Sequence, residues 1–292
     1  MIEPPVPDRF DAAEIERISA ELLDELAEAP RRADPCSVPV RFSNLKRMRE
    51  SPAHYRHACQ YSDDSESLAR KMGTVTHALC FGTPEVAVYT KRRQGKAWDQ
   101  FNAEHTAAGM VIASPREYAA SKAMADALRS HPIAAPLMFD SGCRYEQQVS
   151  WRANDLNCTG RIDVIHPAAV VDLKTARTAR PESFLRSAEW MGYHAQVAWY
   201  MDGLEAAGMG LLAPYIIAVE SGAPNPVVVF RLTEQTIDIG RRLYRLWLEQ
   251  LAGCIESNQW PSYAQSVVDF DVAPVDEEPF TLIGDDGEEF EI

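Results

Sequence analysis

The run Ala168-Ala-Val-Val-Asp-Leu-Lys-Thr-Ala176 sets an acid, Asp172, and a lysine, Lys174, two residues apart among mostly apolar neighbours. The run has β-strand character, and strand residues i and i+2 share a face, so carboxylate and ammonium stand side by side. Burial of either charge is costly unless it is paired, hydrogen-bonded or bound to a metal. An exposed or edge-strand ion pair is one resolution; a catalytic site is the other. The preceding strand-like run carries Gly160-Arg161-Ile162-Asp163, and the short turn between the runs brings Asp163 beside Asp172 across antiparallel strands. Two carboxylates that close raise each other's pKa unless a cation joins them. Magnesium takes oxygen ligands and keeps waters, which makes Mg²⁺ the natural cation. Lys174 at its side has two uses: to position and polarise an attacking water, or to balance charge on a reacting phosphate.

Further candidates flank this core. Glu146, in Arg144-Tyr-Glu-Gln-Gln-Val-Ser-Trp151, is a third or outer carboxylate, although strand alternation equally allows it to face solvent. His77, on the apolar stretch Met72–Phe81, is either a metal ligand or a satisfied core histidine. Gln196 and Tyr200 stand four apart on a helical stretch and so share a face, from which they could hold a water, a phosphate or Lys174 itself. Simple packing of the tyrosine with a solvated glutamine accounts for them as well. Arg161, with Arg177, Arg180 and Arg186 beyond the third strand and the run Lys91-Arg-Arg-Gln-Gly-Lys96, could touch phosphates and fix register without reading bases. Each also suits a solvated surface.

The elements that must position these groups follow from periodicity. Ile15, Ile18, Leu22 and Leu26 mark an amphipathic N-terminal helix. Ser43 is placed to cap a helix, and Pro52 opens another. The helix ending near Gly82 is expected to bury Leu68, Met72, Val75 and Leu79, with Gly73 and His77 on one face. A brief strand precedes Ser114, which starts a helix with Pro115. Three strand-like runs from Cys143 to Lys174, joined by turn signals, read as a meander. One long helix from about Pro181 to Ala207, two strands, and a helix from about Glu234 to Ser257 complete the chain. The fold class is α/β (α+β), with a central mixed sheet built on an antiparallel three-strand meander and flanked by helices. Three regions are expected: a helix and loop over 1–42, a catalytic domain over 43–260, and an acidic segment over 261–292.

Composition narrows the class. With 292 residues, 46% hydrophobic and 25% charged, the chain has the make-up of a globular protein. It has no transmembrane run and no signal-peptide pattern at its start, so the default location is cytoplasmic, away from membranes. Its six cysteines include no C-x-x-C pair, which argues against a zinc ribbon or a disulfide framework. A formal charge of −14 argues against a general polyanion binder. However, ten acids and no Lys or Arg fall in residues 269–292, and without those ten the remainder carries only −4. A local basic groove is compatible with that balance. The acidic segment itself is either a disordered solubiliser or a piece that docks a partner or enters a nucleic-acid channel.

Taken in order, the motifs are G-x-x-x-H on a helix, an acid on the first meander strand, G-R-x-D on the second, D-x-K on the third and Q-x-x-x-Y on the following helix. This series resembles the PD-(D/E)XK nuclease superfamily, in particular the phage and prophage exonucleases of the exonuclease VIII (RecE) type, over about Ser43 to Gln259. The resemblance implies that His77, Asp163 and Asp172 bind metal with the Leu173 carbonyl helping, and that Lys174 is the catalytic lysine. It matches Gln196 and Tyr200 to the family's helical motif, and Glu146 to an acidic position. Asp172 stands where glutamate is commoner, a variation found within the family. The cysteine quartet of the iron–sulfur branch is missing, so no cluster is implied. Mg²⁺, with Mn²⁺ as a substitute, is the implied cofactor. The implied activity is 5′-to-3′ exonuclease action on double-stranded DNA with free ends, by a homo-oligomeric ring working beside a single-strand annealing protein for recombination. A structure-specific or restriction-type endonuclease on the same fold is one rival; a catalytically inactive DNA-binding or partner-docking module is another.

Overall fold

The computed structural model describes residue 17, residues 38–61, 67–210, 212–264 and 266–270, and the backbone of 281–283 and 289–291. The expected helix around Ile15–Leu26 and most of the acidic segment lie outside the described residues. The N-terminal half contains β1 (Val40–Arg41), α1 (Phe42–Leu45), a 3-10 turn (Lys46–Arg49), α2 (Pro52–Gln60) and α3 (Leu68–Phe81). It continues through β2 (Val86–Val88), α4 (Lys96–Ala107), β3 (Val111–Ala113), α5 (Pro115–Ser130) and α6 (Ala134–Phe139). The meander follows as β4 (Arg144–Ala153), β5 (Leu156–His166) and β6 (Ala169–Ala176). After it come α7 (Pro181–Met191), α8 (Tyr193–Ala206), β7 (Ala213–Glu220), β8 (Val227–Arg231), α9 (Glu234–Ser257) and an antiparallel ribbon of β9 (Thr281–Ile283) with β10 (Glu289–Glu291).

The main sheet runs β4-β5-β6-β7-β8, with β1 lying parallel to the start of β5. The meander pairs antiparallel, β6 and β7 pair parallel through the α7–α8 crossover, and β8 closes the edge antiparallel. This is the mixed, helix-flanked sheet expected from sequence. Alternation along β6 sends Val170 to one face, where Trp199, Leu248 and Leu251 of α8 and α9 pack. Val171 and Leu173 go to the other face, against Met124 and Leu128 of α5 and Met138 of α6. Asp172 and Lys174 share the parity of Val170 and therefore point towards α8.

Several expectations change. The helix drawn from Pro181 to Ala207 is two helices: Gly192 takes φ 72°, its amide donates to the Glu189 carbonyl at 3.0 Å, and the chain restarts as α8. Ser43 does not cap a helix, because α1 begins at Phe42, with Arg41 before it making no side-chain cap. The side chain of Ser51 caps α2 instead, ahead of Pro52. Leu68 is 64% exposed rather than buried, since it sits at the first residue of α3, outside the stripe that meets the sheet.

Candidate active site

The acids are placed by irregularities in the sheet. Regular β5–β6 pairing ends at Val164 with Val171. At the next position the Leu173 amide donates to Asp163 Oδ2 at 2.8 Å, so a side chain takes the place of a ladder carbonyl and is fixed by it. Across β4 and β5, Tyr145 pairs with Val164 and Gln147 with Ile162, which sets Glu146 opposite Asp163. Glu146 takes φ 50°, the left-handed region that a non-glycine residue enters only at a cost. That left-handed residue interrupts strand geometry at the one position of β4 whose carboxylate reaches the site.

His77 comes from the opposite side, on the third turn of α3. Its Nε2 lies 3.1 Å from the Leu173 carbonyl oxygen. A carbonyl only accepts, so Nε2 carries the proton and Nδ1 is directed at the acids. Nδ1 stands 3.7 Å from Glu146 Oε1 and 3.7 Å from Asp163 Oδ1. One donor atom from each of His77, Glu146 and Asp163 lies within 4.8 Å of the others. Beside this trio Lys174 Nζ is 2.6 Å from Asp172 Oδ2 and donates to Gln196 Oε1 at 3.1 Å. It also lies 4.7 Å from the centre of the Tyr193 ring. Gln196 Nε2 in turn donates to the Tyr200 hydroxyl at 2.8 Å. The glycine of G-R-x-D has a packing reason: a Cβ on Gly160 would meet Tyr200 Cδ1 at 3.0 Å.

Protonation follows from crowding. Burial, together with the Asp172 charge, pushes the Asp163 carboxyl up to about 6 against the pull of His77. Burial disfavours charge on His77, but Asp163 and Glu146 outweigh it and raise its pKa. Burial likewise opposes charge on Lys174, yet Asp172 and Asp163 hold its pKa above the ordinary lysine value, so it stays an ammonium. Burial, then Asp172 and Asp163, raise the Tyr200 phenol, which stays protonated.

The donor set fits a divalent metal. Asp172 is only 2% exposed; Lys174 Nζ meets its Oδ2 at 2.6 Å, and its Oδ1 is buried without a hydrogen-bond partner. Glu146 Oε2 is also buried, and Arg161 Nε stands 2.7 Å away. Lys174 and Arg161 each meet one carboxylate oxygen, but Asp172 Oδ1 stays buried without a partner and Glu146 and Asp163 crowd His77, an arrangement that a further cation would relieve. Three carboxylates and one imidazole nitrogen suit Mg²⁺ or Mn²⁺. The group lines an open cleft of about 830 Å³.

A family model described as "PDDEXK-like domain of unknown function (DUF3799)" matches residues 41–268. The chain belongs to the DUF3799 family. Comparison with curated proteins gives no match. The crystal structure of a "Putative exonuclease" from Eubacterium rectale superposes with a TM-score of 0.57 at 13% identity, covering 87% of this chain and 95% of that one. At such identity the likeness speaks for the fold. The family description makes the DUF3799 chain a PDDEXK-like domain, and the structural likeness supports that fold.

Within this DUF3799 chain, His77, Glu146, Asp163, Asp172, Lys174, Gln196 and Tyr200 all line the cleft. The approach within 4.8 Å joins His77 and Asp163 to Glu146, whereas Asp172 is engaged by Lys174. The Leu173 carbonyl contacts His77, and the Leu173 amide contacts Asp163. Of the four arginines considered for phosphate contact, Arg161 lines the cleft, whereas Arg177, Arg180 and Arg186 are not among its lining residues. Arg93 of the 91–96 run pairs with Glu117 instead. Sequence reading passed over Arg41, Lys46 and Arg70, which also line the cleft. The Lys46 pKa is lowered, chiefly by burial and then by Lys174 and nearby arginines. The basic string Lys46-Arg-Met-Arg49 was the available signal, and only folding shows which of its members faces the site. Among the described residues no helix is long and apolar enough to cross a membrane.

Proposed function

We propose that the chain is a metal-dependent deoxyribonuclease that degrades linear double-stranded DNA from its ends, 5′-to-3′, leaving single strands for recombination by annealing. The observation that carries the reading is the meeting of His77, Glu146 and Asp163 in an open cleft, with Asp172 and Lys174 alongside. His77 Nδ1, Glu146, Asp163 and Asp172 would hold the ion, with the Leu173 carbonyl in reach through His77. A divalent ion bound there neutralises the scissile phosphate and acidifies water.

The protein's own groups do the rest. Lys174 stays protonated, so it serves as a fixed donor and positive charge, not as a base. Gln196 and Tyr193 hold its ammonium, and Tyr200 orients Gln196, so the donor is aimed before substrate arrives. Water adds to phosphorus in line as the bond to the leaving sugar oxygen breaks; the water's proton passes to solvent and the leaving oxygen is protonated in turn. Arg41, Lys46, Arg70 and Arg161 supply positive charge in the cleft of an otherwise acidic chain, which supports a polyanionic substrate. Residues 43–260 are taken as the catalytic unit, acting as a ring beside an annealing protein.

Linear duplex labelled at either the 5′ or the 3′ end, incubated with Mg²⁺ or EDTA, tests the reading. The expected result is Mg²⁺-dependent release of mononucleotides, early from the 5′ label, with closed circular DNA left intact and Lys174→Ala inactive. Linearisation of the closed circle would replace it with an endonuclease. Loss-free binding with no hydrolysis would leave a DNA-binding module.

A further inference from the structure

Five of the six tryptophans are buried or half-buried, whereas Trp190 is 70% exposed. It lies in the last turn of α7, three residues before Tyr193, whose ring sits against the Lys174 ammonium. Consecutive Cα atoms are about 3.8 Å apart, so the Trp190 and Tyr193 Cα atoms are within about 11 Å of each other. Met191, between them, is 43% exposed and lines the catalytic cleft. One face of the indole is covered: the Arg49 guanidinium stacks 3.7 Å from the ring centre and donates to the Trp190 carbonyl. Arg186, exposed and four residues earlier on α7, shares the helix face of Trp190.

An aromatic ring braced by an arginine, flanked by a second arginine and next in the chain to Met191, which lines the cleft, matches the chemistry of a nucleotide. A nucleotide has a flat base to lay on the open side of the indole and a phosphate for the guanidinium groups. We propose that Trp190 is a stacking platform for a base of the DNA strand that enters or leaves the cleft, with Arg49 bracing the ring and Arg186 meeting the adjoining phosphate. The platform makes the rim of the cleft a single-strand subsite, separate from the hydrolytic groups. This rests on the nuclease reading above.

The test uses the full chain in EDTA, so binding is measured without turnover. A ten-nucleotide oligothymidylate bearing fluorescein reports affinity by anisotropy, and an oligonucleotide with one 2-aminopurine reports stacking by loss of its emission. Trp190→Ala should weaken oligonucleotide binding about tenfold, the order of one base–aromatic stack, and abolish the quenching. Trp190→Phe should retain most of both, which a merely structural role of the side chain would not require. Unchanged affinity and undiminished quenching in Trp190→Ala, at an unchanged melting temperature, would overturn the proposal and leave the patch to a protein partner. Wild-type hydrolysis of linear duplex with Mg²⁺ is run beside it. Hydrolysis with no effect of Trp190→Ala refutes the platform alone, whereas no hydrolysis and no binding refutes the nuclease reading and the platform with it.

Discussion

Replacing Asp163 by asparagine should stabilise the metal-free protein at neutral pH while removing its metal site. In the folded state the Asp163 carboxyl is pushed up from 3.8 to about 6 by burial and by the Asp172 charge. Between those values the native state holds a proton that the unfolded chain has lost. A carboxyl raised in this way contributes stability below the unfolded pKa, and that contribution is lost as pH rises through the folded pKa. The shift of about two units corresponds to about 3 kcal/mol at most, at roughly 1.4 kcal/mol per unit. His77, also raised, works in the same direction. Asparagine keeps a side-chain oxygen for the Leu173 amide and carries no charge. In urea denaturation with EDTA, Asp163→Asn should therefore exceed wild type by about 1–3 kcal/mol at pH 7.5 and by much less at pH 4. With millimolar Mg²⁺ the order should reverse at pH 7.5, because only wild type gains the linkage energy of the bound ion. A wild type that is more stable than Asp163→Asn in EDTA at both pH values would refute the picture of crowded acids awaiting a cation.

Other outcomes follow from the same contacts. Lys174→Met should abolish hydrolysis and cost about 3 kcal/mol in metal-free stability, since it leaves the buried Asp172 unpaired; adding Asp172→Asn should recover most of the stability and none of the activity, as read by denaturation and nucleotide release. Arg161→Ala or Lys46→Ala should weaken DNA binding and lower the slope of log affinity against log salt by about 1, whereas Arg177→Ala and Arg180→Ala should leave that slope unchanged. Gly160→Ala places a methyl 3.0 Å from the Tyr200 ring and should cost about 1–3 kcal/mol, with a fall in kcat larger than any change in KM as Gln196 and Lys174 lose their alignment.

The sequence carried the elements better than their junctions. The meander is legible because β4 to β6 alternate or run apolar between turn signals, and Asp172-x-Lys174 stands out because charge in such a run is expensive. Spacing put Gln196 and Tyr200 on one helix face, where Gln196 contacts both Tyr200 and Lys174. Three features depend on long-range geometry and leave weaker local traces. Glu146 reaches the trio only through its left-handed backbone, which no neighbouring glycine or proline announces. Gly192 divides a helix whose apolar periodicity continues across it. Beside Arg161, the basic lining comes from Arg41, Lys46 and Arg70, on segments remote in sequence from the acids, whereas Arg177 and Arg180 just after β6 do not line the cleft.

The claim on which the mechanism stands is that His77, Glu146, Asp163 and Asp172 together hold a divalent ion beside Lys174. Crystals grown with Mn²⁺ and measured for its anomalous scattering test it most directly. The account predicts a strong peak about 2.0–2.3 Å from His77 Nδ1 and from carboxylate oxygens of Glu146 and Asp163, with Asp172 in contact with the same ion or a second one. A map with no peak among these four side chains, or with manganese bound only elsewhere on the chain, would contradict it.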